Sequence, residues 1–530
     1  MTAKHTAGRT AFAGALALLF AACGGGSAPV EVAPRGQDAL DQAAATITAE
    51  DMYERVAYLA SDEMRGRDTP SPGLDSAAAY IVREFRRFGL EGGAEGGAFI
   101  QRYPFPLIGL DTDGVTLDLS NTGGAELVYG TDFLVLAGEG REAEAPLLWA
   151  GPAAAFADVD HEPNTMADVM PVVFLPGAAI DQPWQRALNA ARTAAADAGA
   201  PALVYVLDPA FAQDQLARLR GFIEPARRTL GGEVTGLTRV FLTYDAAQSV
   251  LAAAGMELDA LRAAADAATN PVPVTGVTAS LGAPVRVYED AMAPNVVGVL
   301  RGSDPALANT YVVFSAHMDH VGVGEPDATG DSIYNGADDD ASGTSALIEV
   351  AEAFSTLLQR PKRSLIFLAV SGEEKGLLGS RWYSDHPTVP MDSIVANINV
   401  DMIARNSPDS VVVIGQEYSS LGPLVQRVGA AEPELGLTVS EDIWPEERFF
   451  FRSDHFNFAR KEVPALFFFT GVHEDYHRPS DEVDTIDTDK AARVARLIFH
   501  TAHAIADDAT RPSWTEQGIT EIRRLTGGGR

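Results

Sequence analysis

Five short runs constrain the fold of the second half of the chain: NVVGVL, TYVVFSA, SLIFLAV, IVANINV and ALFFFTG. They are β-branched or aromatic and lack strict alternation of apolar with polar residues. A strand with one wet face must alternate, because successive side chains point to opposite sides of the sheet. Strands that do not alternate are covered on both faces. The cover is present in GTSALIEVAEAFSTLLQ and AARVARLIFHTAHAIA, where apolar residues recur at helical spacing. The expected class is α/β, with a mixed, largely parallel sheet sandwiched by helices.

The 530 residues leave room for an export signal and two or three domains. Lys4 and Arg9 precede an apolar stretch from Ala11 to Ala22. That stretch is shorter than the roughly 20 residues that span a bilayer, so residues 1–22 read as a signal peptide. Cys23 is the only cysteine, which excludes an intramolecular disulfide. LLFAAC resembles a bacterial lipoprotein processing site, although Phe20 stands where that pattern favours leucine. The expected location is therefore the periplasm or outer membrane as a lipoprotein, or the exterior after plain cleavage. Membrane contact is expected only through a lipid on Cys23.

Residues 23–47 read as a flexible tether, 48–119 as the first part of the main domain, and 120–282 as an insert. Residues 283–506 form its second part and 507–530 a polar, frayed tail. In the first part, LDSAAAYIVREFRRFGLE spaces Ala79, Ile81, Val82, Phe85 and Phe88 along one helical face. In the insert, MPVVFLP and PALVYVL flank the helical WQRALNAARTAAADAGA, indicating a small α/β or β-rich unit; it has no clustered His, Cys or catalytic carboxylate pattern, so it is expected to be catalytically silent and to serve binding or gating. The net charge of −33, from 73 acidic and 40 basic residues, argues against electrostatic binding to nucleic acid or an anionic membrane.

In covered sheets, functional groups gather beyond the carboxyl ends of the strands. TYVVFSA is followed by HMDH, SLIFLAV by SGEEKG, IVANINV by Asp401, and ALFFFTG by VHEDYHRPSDEVDT with His473 and His477. YNGADDDASG adds Asp338, Asp339 and Asp340 at the start of a helix. Taken singly, Asp340 and Ser342 read as helix N-caps, and the Glu373–Glu374 pair as a solvated face. Together the set has the imidazoles and carboxylates that bind zinc, and clustered carboxylates become favourable once dications neutralise them. One aspartate of the three is expected between two metal ions.

At SAHMDHVG, IYNGADDDASGTSAL, RSLIFLAVSGEEKGLLGS, NINVDMI, RSDHFNFA and HEDYHRPSDEVDTID the chain resembles metallopeptidase family 28, the co-catalytic dizinc aminopeptidases. The insert resembles the protease-associated domain of secreted members. The resemblance implies two Zn2+ per chain, one held by His317 and Asp401 and the other by Glu374 and His477, with Asp339 bridging. It implies Glu373 as general base and Asp319 accepting a hydrogen bond from His317 to fix its tautomer. It also implies a cis peptide after Asp339 and removal of N-terminal residues from peptides with a free N-terminus. The family also includes carboxypeptidases, glutaminyl cyclases and a receptor branch without catalysis, and these are the alternative readings. Where several members have an oxyanion-stabilising tyrosine, this chain has Phe450, leaving Arg452, Tyr476 or Tyr334 to substitute. Ser453, Asp454 and His455 are not a hydrolase triad, since contiguous side chains do not converge in that geometry.

Overall fold

The computed structural model describes residues 37–120, 126–138, 141–231, 236–263 and 268–526. The signal peptide, residues 23–36 and residues 527–530 lie outside the described residues, and the tether expected over 23–47 is instead helical at Gln37–Ala44, with Ala43, Ala44 and Ile47 buried in the main core.

All five apolar runs form strands: Met292–Leu300, Tyr311–His317, Ser364–Val370, Ile394–Val400 and Ala465–Phe469. Every residue of the last four is buried, as expected for strands covered on both faces. Ser364–Val370, Tyr311–His317, Ile394–Val400 and Ala465–Phe469 lie side by side in that order, all parallel. Antiparallel strands flank this block, Met292–Leu300 on one side and Ser410–Ile414 on the other, within a nine-stranded sheet. Helices Pro72–Arg87, Gly343–Thr356 and Thr488–Asp507 pack with the sheet into one core. Leu74, Ala77, Ala78, Ile81, Val82 and Phe85 form the buried stripe of the first helix. Ala79 is exposed, so within the alanine run the buried face is carried by its neighbours.

Strand order places the site. The chain leaves Tyr311–His317, passes through helix Gly343–Thr356, and pairs Ser364–Val370 on one side. It then crosses to place Ile394–Val400 on the other side. The order reverses at Tyr311–His317, and such a switch point opens a crevice beyond the strand ends. His317 and Asp401 flank it.

The region from Thr116 to Gly282 forms a seven-stranded sheet. Its strands Met170–Leu175 and Ala202–Leu207 are fully buried. Helix Gln182–Asp197 packs into a core on one face and Tyr244–Ala253 into a core on the other. This region is therefore α/β, with apolar strands for the same reason as the main sheet. Leu107–Leu110, Arg227–Arg228 and Val285–Glu289 form a separate small sheet.

The polar tail does not fray as expected over its described part. Helix Glu516–Thr526 forms there, Ile522 is 1% exposed, and Trp514 Nε1 donates to the Glu462 carbonyl at 2.7 Å. One apolar residue and one indole dock a segment whose composition is otherwise that of a solvated tail.

Candidate metal centre

The turn before helix Gly343–Thr356 presents its three aspartates in three directions. Gly336 has φ +59°, and a Cβ there would lie 2.2 Å from the Asp339 carbonyl and 2.6 Å from the His320 ring. Only glycine permits that approach. Asp338 Oδ1 accepts from the Ala404 N–H at 2.7 Å and from Ser342 Oγ at 3.0 Å. Asp340 accepts from His317 N–H at 3.0 Å, Gly343 N–H at 2.9 Å and Met402 N–H at 3.2 Å. It thus ties two strand exits to the helix start, which is more than an N-cap does, and Ser342 makes no cap bond. Asp339 remains for the crevice. Its peptide to Asp340 is cis.

Around Asp339 the structure brings together side chains from four strand exits. Oδ1 lies 3.2 Å from His317 Nε2, which is 3.5 Å from Asp401 Oδ1. Oδ2 lies 3.1 Å from His477 Nε2, which is 3.2 Å from Glu374 Oε2. His320, passed over in the sequence analysis, stands with Nδ1 2.8 Å from Glu374 Oε1 and 3.7 Å from Asp339 Oδ2. Two donor groups result, His317–Asp339–Asp401 and His320–Asp339–Glu374, and Asp339 belongs to both. Asp339 Oδ2, Glu374 Oε1, His477 Nε2 and both ring nitrogens of His320 are buried without a hydrogen-bond partner. The two convergent donor groups, the second with unpartnered buried atoms, fit divalent cations sharing the Asp339 carboxylate.

The adjacent glutamates are driven apart. Burial pushes the Glu373 carboxyl well above its ordinary value, and repulsion from Glu374, Asp454 and Asp401 adds to this against the pull of His317. Burial and Asp339 also push Glu374 upward, but His320 and His477 override them and hold it at about 2. Burial opposes ionisation of Asp339 too, yet His320, His317 and His477 hold it well below the usual range. Neighbouring carboxyls split in this way suit one proton carrier and one permanently ionised donor.

Asp319 departs from its expected contact. Its carboxylate is 3.8 Å from His317 Nδ1, beyond hydrogen-bond range. The ring nitrogen lies 3.1 Å from the Asp319 backbone carbonyl instead. The carboxylate accepts from Gly372 N–H and Thr69 Oγ1, both at 2.8 Å, and more weakly from Glu373 N–H at 3.4 Å. It anchors the loop that presents Glu373.

Several supporting residues went unread in the sequence. Asp481 accepts the N–H groups of Asp338 and Asp339. Arg67, 1% exposed, donates to the carbonyls of Met318, Leu59, Asn335 and Gly336. Ser453 Oγ donates to Asp401 Oδ2 at 2.7 Å, whereas His455 stacks on Phe467, so SDH is not a triad here. Asp481 and Ser453 sit inside quoted motifs, HEDYHRPSDEVDTID and RSDHFNFA. Phe450 is packed against Tyr418 and His455, and the Tyr334 hydroxyl donates to the Glu325 carbonyl. Arg452 and Tyr476 line the cleft with His317, Asp339, Glu373 and Asp401.

Residues 295–502 match the family model described as Peptidase family M28. A probable zinc metalloprotease of Pyricularia oryzae is 27% identical over 282 residues, covering 45% of this chain and 54% of that protein. Aminopeptidase NAALADL1 of Mus musculus is 34% identical over 114 residues, 20% of this chain and 13% of that one. The chain thus spans about half or less of these curated relatives. The solved structure of an aminopeptidase from Aneurinibacillus sp. strain AM-1 aligns over 87% of this chain and 95% of that one, at 20% identity and a TM-score of 0.46. The segment matched by that family model contains His317, His320, Asp339, Glu373, Glu374, Asp401 and His477.

Proposed function

We propose that the chain is a zinc-dependent exopeptidase that removes N-terminal residues from peptides. The observation that carries this reading is Asp339, shared by two groups of imidazole and carboxylate donors at a switch point of the sheet, with buried atoms of the His320–Asp339–Glu374 group left without a hydrogen-bond partner. His317, Asp339 and Asp401 would hold one zinc; Asp339, Glu374 and His477 would hold the other, with His320 against Glu374. When bound, the two zinc ions polarise a scissile carbonyl and lower the pKa of water.

The chain's own groups do the rest. Glu373, outside both donor groups, takes a proton from the attacking water and returns it to the leaving amine. Its raised affinity for a proton suits that return. Asp319 fixes the backbone of that loop, and Ser453 orients Asp401. Arg452 and Tyr476 line the cleft wall and would stabilise negative charge on the substrate oxygen. The preference for the N-terminal end of a peptide follows the aminopeptidase among the curated relatives.

The test is hydrolysis of a peptide panel with free and blocked N-termini, before and after strong chelation and zinc return. Cleavage of free N-termini only, abolished by chelator and restored by zinc, is expected. Release of C-terminal residues, cyclisation of N-terminal glutamine, or chelator-resistant cleavage would overturn the reading.

A further inference from the structure

With 73 acidic and 40 basic residues, the chain supplies a carboxylate partner to many of its arginines. Arg55, Arg220, Arg405, Arg493 and Arg523 all pair with one. Arg218, Arg227 and Arg239 make no ion pair among the described residues. They meet at two adjoining cavities of about 310 and 660 Å³. Arg227, Arg239, Leu136 and Ile223 line both, so the two form one recess. Arg218 joins from the larger part, and Arg228 and Arg381, already paired with Glu289 and Asp385, from the smaller. No aspartate or glutamate lines either part.

Arg239 is the most informative of these. It sits on the strand Thr238–Leu242, and its Nε is buried without a hydrogen-bond partner. Burial lowers its pKa, and Arg192 and Arg227 lower it further against Tyr205. A cation set in a partly apolar recess beside other cations is costly unless an anion joins it. The guanidinium fork matches a planar carboxylate. The apolar surface from Trp184, Leu188, Phe222 and Phe241 offers contact for the chain bearing that group.

The position ties the recess to the reaction. Leu378 and Arg381 of its lining belong to helix Leu378–Asp385, and Leu378 N–H donates to the Gly372 carbonyl at 2.9 Å. That carbonyl lies in the loop presenting Glu373. The opposite wall comes from the insert. We propose that this recess binds a carboxylate of the peptide substrate, at its C-terminus or on an acidic side chain, away from the bond that is cleaved. This deepens the exopeptidase reading and rests on it.

Calorimetry with N-acetylated peptides, which that reading leaves uncleaved, tests the recess separately from hydrolysis. Three probes are compared: a free C-terminal acid, its C-terminal amide, and the amide carrying one internal glutamate. One or both acids are expected to bind about tenfold or more tighter than the neutral amide, and which acid does so identifies the source of the carboxylate. Arg227→Gln/Arg239→Gln should erase that difference, whereas Arg186→Gln, on the exposed face of helix Gln182–Asp197, should keep it. Should the double variant melt early, Arg227→Gln alone serves, since Arg227 is exposed. Equal binding of acid and neutral amide, or a folded variant that retains the difference, overturns the proposal. Acid-selective binding without cleavage of unblocked peptides would sink the exopeptidase reading instead.

Discussion

Replacing Asp319 by asparagine separates two roles for a residue beside the metal centre. Shape is kept and charge is lost. The carboxylate accepts from Gly372 N–H and Thr69 Oγ1, each at 2.8 Å, and stands 3.8 Å from His317 Nδ1. Hydrogen bonds to a charged group are worth about 1.5–3 kcal/mol, against about 0.5–1.5 for neutral pairs. Losing the charge from two buried bonds should cost the loop geometry about 2–3 kcal/mol, which is roughly 30- to 150-fold in rate if it falls on the transition state. Because that loop presents Glu373, the loss should appear in kcat, with zinc binding nearly unchanged. The assay is zinc content after equilibration against graded chelator, together with steady-state kinetics of the zinc-replete variant. If zinc affinity instead drops 10–100-fold, as for a residue orienting a ligand histidine, while the zinc-replete variant keeps its kcat, the reasoning fails.

Glu373→Ala should retain both zinc ions and lose about 100-fold or more in kcat; near-normal turnover would remove Glu373 as the proton carrier. Tyr476→Phe should lower kcat by roughly 10- to 1,000-fold without changing zinc content, and an unchanged kcat would leave Arg452 as the sole protein group for that task. Away from the centre, burial raises Glu349 to about 7 despite Arg55 at 2.5 Å. A carboxyl whose folded pKa is raised holds its proton longer in the native state, so stability is full below the unfolded value of 4.5 and declines as pH rises toward 7. The decline totals about 3 kcal/mol at most. Glu349→Gln should flatten it, read as the difference in urea midpoint between pH 5 and pH 7, and an unaltered slope would place that dependence elsewhere.

The strands of the main sheet were legible because burial on both faces leaves a signature in consecutive apolar residues. The strand exits were legible for the same reason: once the runs are placed, His317, Glu373, Glu374, Asp401 and the His473–His477 segment fall just beyond them. Second-layer contacts were not. Asp340 looks like a cap in sequence because the N–H groups of His317 and Met402, which it also binds, come from distant segments. His320 closes the HMDH motif, whose first histidine alone matches the expected ligand pattern, and its position against Glu374 depends on the left-handed turn at Gly336. Arg67 serves only backbone carbonyls, and such contacts leave no pattern in residue types. The tail helix was hidden by a polar composition that Trp514 and Ile522 offset only in three dimensions.

The central claim is that Asp339 lies between two zinc ions. Diffraction from zinc-replete crystals, with anomalous differences collected across the zinc absorption edge, tests it most directly. Two peaks flanking the Asp339 carboxylate are predicted, one against His317 and Asp401 and the other against Glu374 and His477. A single peak, or peaks away from Asp339, would contradict the account.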